Sequence, residues 1–180
     1  DKKASRIAAE GLIVIRQTSS AVAMVEVNCE TDFVTKNDDF RAFSDAVAGV
    51  ALESGPADLD ALLATPMANG QSVEQNRREC IAKIGENISV RRFARLATAS
   101  GIVGSYLHGT RIGVLVELEG GDAELTRDIA MHIAASRPLC VSADQVPAEF
   151  LAREKDIFAA QAAASGKPAN IIEKMVEGRL

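Results

Sequence analysis

Residues 23–34 constrain the fold most, because a strand period runs there directly into a polar turn. Ala23, Val25, Val27 and Cys29 point one way; Met24, Glu26, Asn28 and Glu30 point the other. That alternation is the period of a half-buried strand. It stops at Thr31-Asp32-Phe33-Val34, and the polar run Lys36-Asn37-Asp38-Asp39 follows before any alternation can resume. An aromatic on a polar loop tip is costly to leave in water, so it calls for a partner. Two readings follow. Phe33 folds back as a lid on its own core, or it meets another molecule.

The same pattern recurs downstream. Gly113-Val114-Leu115-Val116-Glu117-Leu118 resembles Ala23-Met24-Val25-Glu26-Val27, with Glu117 in the place of Glu26. Each strand leads to a helix pattern with an aspartate before small apolar residues, Asp45-Ala46-Val47-Ala48 and Asp128-Ile129-Ala130-Met131. The interval from Glu26 to Asp45 is 19 residues and from Glu117 to Asp128 is 11, so the first copy carries 8 more. The surplus falls on the Thr31–Val34 turn. Two such units imply two similar subdomains. The second closes without the loop, which favours a working loop over a structural one.

The flanking elements read as follows. Lys3–Ala9 is a short helix or an irregular entry, and Leu12–Arg16 is a strand that forms a hairpin with the Ala23–Cys29 strand across Thr18-Ser19-Ser20. Asp38 or Asp39 caps a helix carrying Phe40, Phe43, Val47 and Val50, which Ser54-Gly55-Pro56 ends. Ala57–Ala64 is a short helix, and a loop crosses Thr65–Gly70. Ser72-Val73-Glu74-Gln75 has the capping-box form and opens a helix to about Ile84, which Gly85-Glu86-Asn87 ends. Ile88–Ala97 is a strand broken at Arg91-Arg92 by a bulge. Gly101–Ser105 reads as a loop between strands, and Val103–His108 and Arg111–Glu119 as two strands joined at His108-Gly109-Thr110. A helix then carries Leu125, Ile129, His132 and Ile133 and ends at Pro138. The helix Ala148–Ala164 and a second one striped by Ile171, Ile172, Met175 and Val176 form a helical hairpin, with its turn at Ser165-Gly166-Lys167-Pro168.

Function classes can be narrowed. The chain has 180 residues, 47% of them hydrophobic, enough for one domain or two small ones. No run approaches the roughly eighteen apolar residues of a membrane span. No signal-peptide pattern is read, so the expected location is cytoplasmic. A net charge of −5 disfavours a nucleic-acid surface, and the doublets Arg77-Arg78 and Arg91-Arg92 read as solvated faces. Cys29, Cys80 and Cys140 are widely spaced without a CxxC, and read as reduced intracellular thiols. His108 reads as an exposed turn residue and His132 as a core or rim residue. There is no metal-ligand spacing, no phosphate loop, no GxGxxG and no GxSxG elbow. No metal, no cofactor and no enzyme activity are expected; a binding protein is. The start at Asp1 without Met and the stop at Leu180 within a helix pattern read as a fragment of a longer chain.

Asn28-Cys29-Glu30-Thr31-Asp32-Phe33-Val34 before a helix resembles the bacterial translation elongation factor Ts family. So do Ile84-Gly85-Glu86-Asn87-Ile88, Arg91-Arg92, Gly104-Ser105-Tyr106, His108-Gly109, Arg111–Val116, Ala130–Ser136, Ser165–Pro168 and Glu173–Arg179. The resemblance runs in order over nearly the whole chain, without the family's N-terminal ubiquitin-associated-like domain and its C-terminal part. Segment 64–76 is longer than in some relatives. The resemblance implies an α+β fold: two similar subdomains, each a small antiparallel sheet with helices, plus a projecting helical hairpin. The expected divisions are residues 1–99, 100–147 and 148–180. It implies guanine-nucleotide exchange on elongation factor Tu, with Asp32 and Phe33 entering near the Mg²⁺ and phosphate site of the GTPase and Thr31 and Val34 completing the signature. It also implies a second contact at Met131 and His132, and leaves a homodimer open. The competing expectation is a structural or oligomerisation module acting through the hairpin.

Overall fold

The computed structural model describes residues 6–164, 168, 170, 171 and 174. The chain forms two compact units, Asp1–Ser136 and Arg137–Leu180. Among the described residues the fold is α+β, with one antiparallel sheet of three strands and one of two.

The first unit begins with β1 (Glu10–Gln17) and β2 (Ala21–Cys29), an antiparallel hairpin in which Val14 pairs with Val25. A 3-10 turn (Val34–Lys36) leads to α1 (Asp38–Ser54). Ala23, Val25, Val27 and Cys29 are fully buried and share a core with Phe40, Phe43, Val47 and Ala51 of α1. The alternation at residues 23–29 therefore serves as the floor on which α1 packs. Burying these side chains contributes about 1.5–3 kcal/mol for each Val or Phe.

The caps explain where the helices start and stop. Asn37, not Asp38 or Asp39, caps α1: its carboxamide oxygen accepts from Asp39 N at 2.9 Å and Phe40 N at 3.2 Å. The two aspartates occupy the first turn, where negative charge complements the helix dipole. Gly55 ends α1 at φ 55°, a conformation glycine adopts without a Cβ penalty. Next come α2 (Leu59–Ala64), capped by Asp58, and α3 (Val73–Ile84). The capping box at Ser72 and Gln75 forms in both directions. Arg77 departs from the solvated face expected of it: its guanidinium grips Glu74 and donates to Ile88 O at 2.7 Å, tying α3 to the next strand.

Strand β3 (Ser89–Ala97) adds to the free edge of β2. Glu26 pairs with Arg92 and Val27 with Val90, so Arg91 is the extra residue of a bulge. The Glu26 carboxylate meets Arg92 Nε at 2.6 Å and Arg91 Nε at 3.8 Å.

The second sheet repeats the strand–strand–helix order: β4 (Ile102–His108), β5 (Ile112–Leu118) and α4 (Ala123–Ser136). The strand read over Val103–His108 starts one residue earlier, with Ile102 opposite Leu118, so the Gly101–Ser105 stretch is strand from Ile102 onward and not loop. Gly104 leaves room for Thr126 of α4, and Gly113 lies against Met24 and Ile13 of the first sheet. Ile13 N donates to Thr110 O at 2.8 Å, and Gln17 Nε2 to Val103 O at 3.1 Å. The second sheet thus covers the face of β1 and β2 opposite α1, which is why Val22 is fully buried.

In the second unit a 3-10 turn (Ala143–Gln145) precedes α5 (Ala148–Ala163). The turn of the expected hairpin and most of its second helix lie outside the described residues. Among the described residues no helix is long and apolar enough to cross a membrane.

Candidate functional site

The turn after β2 is built to hold one aromatic side chain in water. Phe33 is 79% exposed, Thr31 and Asp32 beside it are exposed, and Val34 is buried in the core. Phe33 does not fold back as a lid. Its backbone is helical (φ −62°, ψ −40°) and its carbonyl accepts from Lys36 N at 3.1 Å. Thr35 Oγ1 donates to Asp32 O at 2.6 Å, and Arg41 Nε to Thr35 O at 2.9 Å. With the carbonyls of Asp32, Phe33 and Thr35 all bonded and Val34 buried beneath, the loop gives Phe33 a defined place.

Two carboxylates anchor the other end of the loop. Glu86, in the turn between α3 and β3, accepts Glu30 N at 3.1 Å and Thr31 N at 3.0 Å on Oε2, and the Thr31 hydroxyl at 2.7 Å on Oε1. Glu30 returns the bond, accepting Asn87 N at 2.6 Å and lying 3.7 Å from the Arg6 guanidinium. Asn87 Nδ2 donates to Arg6 O at 2.7 Å, and Asn28 Nδ2 to Glu10 O at 3.0 Å. Below the loop the Cys29 thiol donates to Thr31 O at 3.2 Å. Burial, then the charges of Glu86, Glu10 and Asp32, pushes this thiol up to about 11, so it stays protonated and unreactive at neutral pH.

Met131 and His132 lie on α4, away from this loop. Met131 is 37% exposed and His132 is exposed, not held in a core or rim. Both sit on the surface of a helix anchored by Thr126 and Ala130, which are buried against the second sheet. His108 is exposed, with its Nδ1 3.1 Å from the Tyr106 hydroxyl. Among the described residues no group of three or more His, Cys, Asp or Glu side chains is placed to hold a metal ion.

Sequence reasoning gave Glu86 and Asn87 only the end of the helix before them and a place in the family resemblance, and Glu30 only a place on the strand and in the signature, with no part in holding the loop. Gly85 ends α3 at φ 89° with its N–H bonded to Ile81 O at 2.8 Å, and nothing within a few residues marks the carboxylate that follows as the anchor of a distant loop.

The arrangement offers an exposed aromatic and carboxylate on a hydrogen-bonded loop, with a second exposed helix face. The family model "Elongation factor TS" matches residues 30–180. The elongation factor Ts of Methylococcus capsulatus is 65% identical over 182 residues, spanning all of this chain and 62% of that protein. Those of Thioalkalivibrio sulfidiphilus and Alkalilimnicola ehrlichii are 62% and 57% identical, and the chain again spans 62% of each. With the match opening at the very loop that displays Phe33, this chain belongs to the elongation factor Ts family.

Proposed function

We propose that the protein is a cytoplasmic guanine-nucleotide exchange factor for elongation factor Tu, and that Asp32 and Phe33 are the residues that dislodge GDP. One observation carries the reading: Phe33 is 79% exposed on a loop tied down at both ends. An aromatic fixed in water gains its full transfer free energy only when a partner covers it.

Bound GDP is held by phosphate contacts and by Mg²⁺, which demands near-ideal octahedral geometry. Phe33, wedged between packed side chains of the GTPase, shifts the elements that order that geometry. Asp32 brings a carboxylate into the polar network around the metal or to a helix N-terminus. Thr31 and Val34 hold the pair in place. Driving the nucleotide-bound population from 99:1 to 1:99 takes about 5.5 kcal/mol of differential affinity. Burying one Phe supplies about 2–3 kcal/mol. A second docking surface is therefore required, and the exposed Met131 and His132 on α4 are the residues we assign to it. The coupling acts in both directions, so incoming nucleotide expels the factor. The protein itself carries out no hydrolysis in this scheme.

The alternative is a structural or oligomerisation module using α5, where Phe150, Leu151 and Ile157 remain exposed. Release of fluorescent GDP from elongation factor Tu separates the two. Acceleration by the protein supports exchange; an unchanged rate, with self-association in sedimentation, supports the module.

A further inference from the structure

We infer that Glu86 is a positioning residue for Phe33: it sets the place of the exposed ring and acts on nucleotide release only through it. This rests on the exchange reading above. The loop has two roots. Downstream, Val34 is buried, and an apolar contact fixes the chain there. Upstream, residues 30 and 31 have no such burial, and their N–H groups and the Thr31 hydroxyl all end on Glu86. Phe33, at 79% exposure, has too little packing of its own to fix where it points. Its direction is inherited from the backbone on either side.

The bonds that Glu86 makes are directed. All end on a carboxylate and so are charge-assisted, the stronger class of hydrogen bond, with the Thr31 hydroxyl the shortest at 2.7 Å. They reach across 55 sequence positions, joining the loop to the turn that starts β3. The exchange is reciprocal, because the Glu30 carboxylate takes Asn87 N at 2.6 Å. The loop therefore moves only if the turn at 85–87 moves with it. Without the Glu86 carboxylate, Thr31 N and Oγ1 lie on exposed residues where water replaces the lost partner. The fold then survives on the bonds to Thr31 O, Asp32 O and Phe33 O that Glu86 does not make, while residues 30 and 31 lose their tether to the 85–87 turn and the ring is spread over more directions.

The test is a double-mutant cycle in the full-length natural protein, read as the maximal rate of GDP release from elongation factor Tu at saturating factor. Glu86→Ala is expected to lower that rate about tenfold, as loss of alignment does, and to move the half-saturating concentration far less. Glu86→Gln is expected to restore the rate. Its carbonyl oxygen still accepts the two backbone N–H groups, and its amide donates to the Thr31 hydroxyl. In a Phe33→Ala background, Glu86→Ala is expected to add no further loss. A rate unchanged by Glu86→Ala, or an equal loss in the Phe33→Ala background, overturns the positioning role. So does failure of Glu86→Gln to rescue. If Glu86→Ala does not fold, Glu86→Asp, one methylene too short to reach all three donors, gives the same reading. If Phe33→Ala itself leaves release unchanged, the exchange reading has failed, a result distinct from failure of Glu86 alone.

Discussion

Truncating two phenylalanines seven residues apart should have very unequal consequences for stability. Phe40 is fully buried in the first turn of α1 over β2, whereas Phe33 is 79% exposed. Complete burial of a Phe contributes about 1.5–3 kcal/mol, so the roughly one-fifth of Phe33 that is covered accounts for about 0.3–0.6 kcal/mol. Its backbone is already in the right-handed helical region, which Ala adopts without strain. Phe33→Ala should therefore cost less than about 1 kcal/mol. Phe40→Ala loses the transfer term and leaves a cavity, about 3–5 kcal/mol. With a urea m-value of about 2 kcal/mol/M, the unfolding midpoint falls by less than about 0.5 M for Phe33→Ala and by about 1.5–2.5 M for Phe40→Ala. Far-UV circular dichroism in urea reads both. A Phe33→Ala midpoint lowered by more than 1 M would show that the ring is rooted in the core, and the reasoning from exposure would be wrong.

Further expectations concern packing and ionisation. Gly104→Ala should destabilise by about 1–3 kcal/mol in the same assay, because the new Cβ would stand 2.4 Å from Thr126 Cγ2. Thr126 cannot turn away, being buried with its hydroxyl bonded to Asp122 O at 2.7 Å. Cys29 and Cys80, both buried and both pushed up to about 11 chiefly by burial, should resist a thiol reagent at pH 8 until the chain is unfolded. Their folded values lie above the ordinary 9.0, so the native state holds these protons more tightly. That contribution is complete below pH 9 and is lost as the pH rises through about 11. A urea midpoint that does not fall between those pH values would contradict it.

Local patterns carried much of the fold. The period of two in residues 23–29, the capping box at Ser72, the glycine stops at 55 and 85 and the bulge at Arg91 all follow from chemistry within a few residues. What the sequence hid lies between distant segments. Nothing periodic announces that the β4–β5 sheet covers the outer face of β1–β2, yet this buries Val22 and sets Gly113 against Met24. Arg77 looked like surface charge because its carbonyl acceptor, Ile88, becomes a neighbour only when α3 folds onto β3. Asn37 took the cap from its acidic neighbours because the 3-10 turn ends there, leaving its extended backbone just ahead of the helix. At the site, Thr31-Asp32-Phe33 could be singled out because alternation breaks there. Glu86 could not, since a carboxylate 55 positions away leaves no trace in the loop it holds.

The central claim is that Phe33 dislodges the nucleotide, and the most direct measurement is stopped-flow release of fluorescent GDP from elongation factor Tu by the natural protein and by Phe33→Ala. Loss of about 2–3 kcal/mol of burial at the partner corresponds to a slowing on the order of 30-fold or more. That slowing is expected at saturating factor and with an unchanged fold. Release at the wild-type rate by Phe33→Ala, or no acceleration by the natural protein, would contradict it.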